Sequence, residues 1–162
     1  MKLSNLYLVS LSFILLIIIT SCSDKELYNK YQTIRIETTQ QIAQIDIVIK
    51  DQKAQCDSLV KVQSEFISRR LTKEDINRLN NEIISTIDIQ GSMNSLKTYL
   101  EVTKLNCTIL EKASTRFGYL FKGKRKIKNM YSKNIYDTNR EIRDITGGLA
   151  PKDYIKKYLP EK

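Results

Sequence analysis

The chain has 162 residues, with 27 lysines and arginines against 18 acids, a formal net charge of +9, and neither histidine nor tryptophan. The lack of histidine excludes histidine acid–base catalysis and histidine-type metal ligation. Five glycines and two prolines are too few for the closely spaced turns of a β-sandwich and suit long helices instead.

Residues 6–22, LYLVSLSFILLIIITSC, form an apolar run broken only by Ser10 and Ser12 and preceded by Lys2. A charged start, an apolar middle and a small-residue end are the layout of a secretory signal. Within it, Ile19-Thr20-Ser21-Cys22 resembles the lipobox of bacterial lipoproteins. That resemblance implies cleavage before Cys22, a diacylglyceryl group on its thiol and acylation of the new amine. Two acyl chains suffice for stable membrane attachment, whereas one gives only reversible binding. Ser23, next to the cysteine, looks like outer-membrane sorting in that family. The competing readings are an uncleaved membrane anchor and a signal cut without lipidation. The run falls short of the roughly 20 apolar residues that a spanning helix needs. No basic stop-transfer flank follows it. The expected organisation is a signal peptide over 1–21, a lipidated tether over 22–30 and a single helical domain over 31–162. The part after the signal is about 140 residues, one ordinary domain's worth.

From about Tyr31 the apolar residues take a helical period. Ile42, Ile45, Ile49, Cys56, Leu59 and Phe66 are spaced by three, four or seven, with polar Gln52 and Gln63 in the intervening stripe positions. Residues 45–50, IDIVIK, also partly alternate and are β-branched, which suits a strand. No glycine or proline flanks them, and helix is the reading adopted. Thr72 with Asp75 three residues on, and Glu74 between, predicts a capped helix start. Ile76, Leu79, Ile83, Thr86, Gln90 and Met93 then follow steps of three and four. Leu96 comes three residues after Met93, so the stripe changes phase beside Gly91-Ser92, which predicts a break or kink there. Leu96, Leu100, Thr103, Cys107, Leu110, Ser114, Phe117 and Phe121 continue the strongest periodic seam in the chain. Gly123 is the expected stop. A further helix is predicted through Ile127, Met130, Tyr131, Ile135, Ile142 and Ile145 to Gly147-Gly148. Pro151 opens a last short helix through Tyr154, Ile155 and Tyr158. The expected fold class is all-α, a helical bundle or long helical hairpin. An extended tether with little tertiary structure is the alternative.

Cys22 aside, Cys56 and Cys107 remain. In an oxidising envelope two leftover cysteines suggest one disulfide, and both also occupy apolar-stripe positions where a small buried hydrophobe fits. There is no CxxC, no glycine-rich phosphate loop and no GxSxG. Nothing points to catalysis, a metal or a cofactor beyond the lipid on Cys22.

Charge is distributed unevenly. Between positions 111 and 137 lie Lys112, Arg116, Lys122, Lys124, Arg125, Lys126, Lys128 and Lys133, with no acid among them. In the rest of the chain after Cys22 bases and acids balance. Phe117, Tyr119, Phe121, Tyr131 and Tyr136 are interspersed. Such a segment attracts polyanions or anionic headgroups. The competing reading is a solvated helix face with aromatics in the core. Two functional readings follow. One is an envelope lipoprotein acting as a structural or interaction module, its basic segment against an anionic envelope surface or an acidic protein. The other is a periplasmic inhibitor or immunity-type lipoprotein that occupies an enzyme or toxin. Nucleic acid has matching physics but rarely meets a protein of this location.

Overall fold

The computed structural model describes residues 25–65, 70–114 and 124–160, and these contain four helices: α1 Lys25–Ser64, α2 Lys73–Ala113, α3 Lys124–Ile145 and α4 Pro151–Lys156. No strand occurs among the described residues, so the all-α expectation holds. The IDIVIK stretch is helical. Ile45 and Val48 point into the core, three residues apart on one helix face, while Ile47 stays exposed.

α1 and α2 form a long antiparallel hairpin. Three side-chain contacts mark its register. Gln63 Nε2 donates to Asn80 Oδ1 at 2.6 Å near the connection, Lys97 Nζ to Asp46 Oδ1 at 2.6 Å midway, and Arg35 Nε to Glu111 Oε2 at 2.7 Å at the far end. α2 starts as its sequence predicts. Thr72 Oγ1 accepts from the Asp75 backbone N–H at 3.1 Å, and the Asp75 carboxylate accepts from the Thr72 backbone N–H at 3.1 Å. The Thr72 hydroxyl also donates to that carboxylate at 2.8 Å, and this bond, with the one from the Thr72 backbone N–H, holds the Asp75 carboxyl below its ordinary range.

α3 runs antiparallel to α2 and parallel to α1. Its Tyr131 and Ile135 pack beside Tyr31, Cys107 and Leu110. Its Ile142 joins Ile45, Val48, Met93, Leu96, Leu100 and Ile155 in the main core. Gly147 and Gly148, at φ 61° and 84°, then reverse the chain. The Gly148 N–H closes onto the Arg143 carbonyl at 2.8 Å, a left-handed helix end that a Cβ would strain. The turn delivers α4, whose Ile155 is completely buried. One half of the molecule is thus a bundle of α1, α2 and α3 plugged by α4. Among the described residues, the α1–α2 hairpin continues beyond Tyr158 with only its own seam.

Several expectations are corrected. α1 begins at Lys25, not near Tyr31, because Leu27 packs on the Tyr31 cluster and extends the apolar face by a turn. The tether expected over 22–30 is therefore helical from residue 25. α2 passes through Gly91 without a break. The phase change at Met93–Leu96 is where the buried face turns from α1 alone towards α1, α3 and α4 together, so a continuous helix uses both phases. Of the two readings of Cys56 and Cys107, a disulfide or two small buried hydrophobes, the disulfide is absent: both thiols are free, Cys107 buried and Cys56 partly so. The antiparallel register sets Cys107 near Arg35 and Thr38, so Cys56 stands some 18 residues further along the hairpin, roughly 27 Å away. Burial pushes the Cys107 thiol up to about 11, with Glu111 adding to the effect. Ile127 and Met130, expected inside, are exposed. Phe66, Phe117, Phe121 and Gly123 lie outside the described residues.

Candidate anion-binding end

The basic segment reaches the described structure at both of its margins. Lys112 is exposed in the last turn of α2. Lys124, Arg125, Lys126 and Lys128 fill the first turns of α3, whose first turn contains no acid. Bases at a helix N-terminus oppose the macrodipole and carry no helix-stabilising benefit there, unlike the Glu74 and Asp75 that open α2. Lys126 and Lys133 are exposed, and Lys128 is half-buried. Of the aromatics, Tyr131 packs inward while Tyr136 is 72% exposed; Met130, six residues earlier, is 49% exposed. Tyr136 also borders a shallow cleft of about 230 Å³ with Asn139, Arg140 and Arg143. Cys22, Arg116, Lys122, Phe117, Tyr119 and Phe121 lie outside the described residues.

Packing decides where this segment sits. Tyr31 Oη and Ser132 Oγ are 3.3 Å apart and join α1 to α3 at one level. The two helices run the same way, so Lys25 stands about level with Lys126. The start of α1, three residues after Cys22, thus shares an end of the molecule with the start of α3 and the close of α2. The acid at the margin of the basic segment, Glu111, is already engaged. Its carboxylate receives Arg35 Nε at 2.7 Å, and this hydrogen bond raises the guanidinium further above its usual range. Glu111 therefore pairs within the hairpin, with Arg35 of α1. Sequence reading placed the bases but not their neighbour, since Tyr31–Ser132 and Arg35–Glu111 join residues far apart in the chain.

Among the described residues, no cluster of three or more cysteine, aspartate or glutamate side chains could hold a metal ion. No described helix is long and apolar enough to cross a membrane. No protein-family model, curated protein or solved structure matches the chain.

Proposed function

We propose that the protein is a membrane-anchored envelope lipoprotein, tethered through lipid on Cys22, that acts as a structural or interaction module with its basic end on an anionic surface. The observation that carries this reading is the shared end: the helix that follows Cys22 starts level with Lys126, at the start of the base-rich α3. A lipid at Cys22 would hold that end at the bilayer. Each base near an anionic surface then contributes about 1 kcal/mol, fading within a Debye length of roughly 8–10 Å. Exposed Met130 and Tyr136 suit a headgroup layer, where amphipathic and apolar side chains sit favourably. The α1–α2 hairpin, about 60 Å long for 40 residues of α1, then projects away from the membrane and offers its faces to envelope partners.

The test combines both features. Acyl labelling and membrane retention should disappear in Cys22→Ala. The soluble portion 23–162 should bind phosphatidylglycerol vesicles or lipopolysaccharide at low salt and release as salt rises. The triple variant Lys124→Gln, Arg125→Gln, Lys126→Gln should bind about a hundredfold more weakly at low salt, from three contacts each worth about 1 kcal/mol. Binding by the triple variant equal to the parent's, or none to any polyanion at low salt, overturns the surface role. An unmodified mature N-terminus elsewhere overturns the anchor.

A further inference from the structure

α2 presents a face that no other described helix covers. Ile84, Ile87, Val102 and Leu105 are 56, 53, 41 and 61% exposed. Gly91, Asn94, Ser95 and Thr98 fill the same side between them, all exposed, and a Cβ built on Gly91 would meet nothing within 4 Å. At 100° per residue these eight positions fall on one stripe about 100° wide, opposite the seam that α1 occupies. The stripe carries no charged side chain, although α2 is otherwise studded with them.

The order of residues in the stripe names the occupant. About a point between Asn94 and Ser95 it reads alike in both directions: Ile84 answers Leu105, Ile87 answers Val102, Gly91 answers Thr98 and Asn94 answers Ser95. A two-fold axis beside that point pairs the face with its own copy as an antiparallel helix pair in which like meets like, so the patch is self-complementary, as an isologous interface needs. Large aliphatics would meet at both ends, and small residues would allow close approach in the middle. The charges at the borders agree. At this register Asp88 comes level with Glu101 of the second copy, but antiparallel packing brings like edge to like edge, so the two acids lie on opposite borders of the contact, separated by the apolar stripe. Ile84 also edges the shallow cleft beside Tyr154 and Tyr158, which remains open at this face. The outer side of α1, with Ile36 and Ile47, lacks this symmetry and is interrupted by Lys50.

We propose that α2 pairs with α2 of a second copy through this stripe, antiparallel and centred between Asn94 and Ser95. The contact spans 22 residues, about 33 Å, on a single helix. That is small beside the roughly 800 Å² per partner of a standard complex, so the association is weak and concentration-dependent.

Disulfide trapping on the purified full chain tests it, in a Cys56→Ser background. Asn94→Cys places a thiol next to its own copy across the two-fold and should give a covalent dimer at rising concentration under mild oxidation. Asp57→Cys, on the exposed side of α1, is the control. Ile84→Lys or Leu105→Glu alone should lower the trapped fraction about tenfold, as a desolvated unpaired charge would. Combining both in one chain should restore it, because each lysine then faces a glutamate of the second copy. Within one chain these positions lie about 33 Å apart, so they cannot pair internally. All four positions are exposed, and unchanged circular dichroism would show that folding is intact. Trapping no greater than the control, trapping indifferent to the charges, or failure of the double variant to restore it would each overturn the proposal.

Discussion

Hydroxyls explain how this seam tolerates so many polar residues. Thr38, Thr86, Thr103, Ser114 and Thr138 are buried, and each donates back to a carbonyl of the preceding turn, of Ile34, Ile83, Tyr99, Leu110 and Asn134, at 2.7, 2.7, 3.1, 2.8 and 2.7 Å. A hydroxyl satisfied by its own helix avoids the cost of an orphaned polar group while its methyl or Cβ packs inward. Cys107 shows the same economy with a small thiol. It is completely buried, its ionisation is pushed up to about 11, and Cys56 is half-exposed. At pH 8 iodoacetamide should therefore modify Cys56 readily and Cys107 only after unfolding, as peptide mass spectrometry would read. The linkage has a definite sign. The folded state keeps the Cys107 proton that the unfolded chain loses first, so stability falls as pH rises from the ordinary thiol range towards about 11. Equal labelling of both cysteines in the folded protein would contradict this burial.

At the scale of the helix, α2 combines two seams in one 41-residue rod. Leu79 and Thr86 serve the two-helix stretch, and Met93, already in the main core, joins the two. Leu96, Leu100, Thr103, Cys107 and Leu110 serve the bundle, and the rod remains continuous because α3 and α4 approach from a new direction where the phase changes. Gly91 is then neither hinge nor cap. It is an exposed helical glycine with open space around it, so Gly91→Ala should stabilise the hairpin by about 0.5–1 kcal/mol and raise the thermal midpoint. A lower midpoint would mean that the helix needs the glycine's freedom. Periodicity made both seams legible. The break expected between them does not occur, because one sequence cannot show whether a phase shift breaks a helix or meets a new neighbour. In α1, Tyr31, Thr38, Ile45 and Gln52 are all buried at intervals of seven, a signal that the polar members obscured.

For the whole molecule, α4 matters beyond its six residues. Ile155 contributes to the one core that α1, α2 and α3 share, and Tyr154 and Tyr158 flank it edge-to-face with ring centroids 5.4 Å apart. Ile155→Ala should cost about 2–5 kcal/mol in urea unfolding, as other large-to-small substitutions in packed cores do. A loss below 0.5 kcal/mol would mean that the bundle closes without α4. The sequence by itself determined the helical class, the capped start of α2, the seam from Leu96 to Ser114, the glycine reversal into α4 and the concentration of bases between positions 111 and 137. Those properties are local, set by side-chain spacing, capping chemistry and composition within a few turns. Only the tertiary structure decided that Cys56 and Cys107 stand far apart, that α2 runs unbroken, and that the start of α1 shares its end of the bundle with the bases of α3. Each depends on the register and direction of helices brought together from distant parts of the chain. That register is chosen by which side chains interlock, as at Tyr31–Ser132 and Arg35–Glu111, and no local period encodes it.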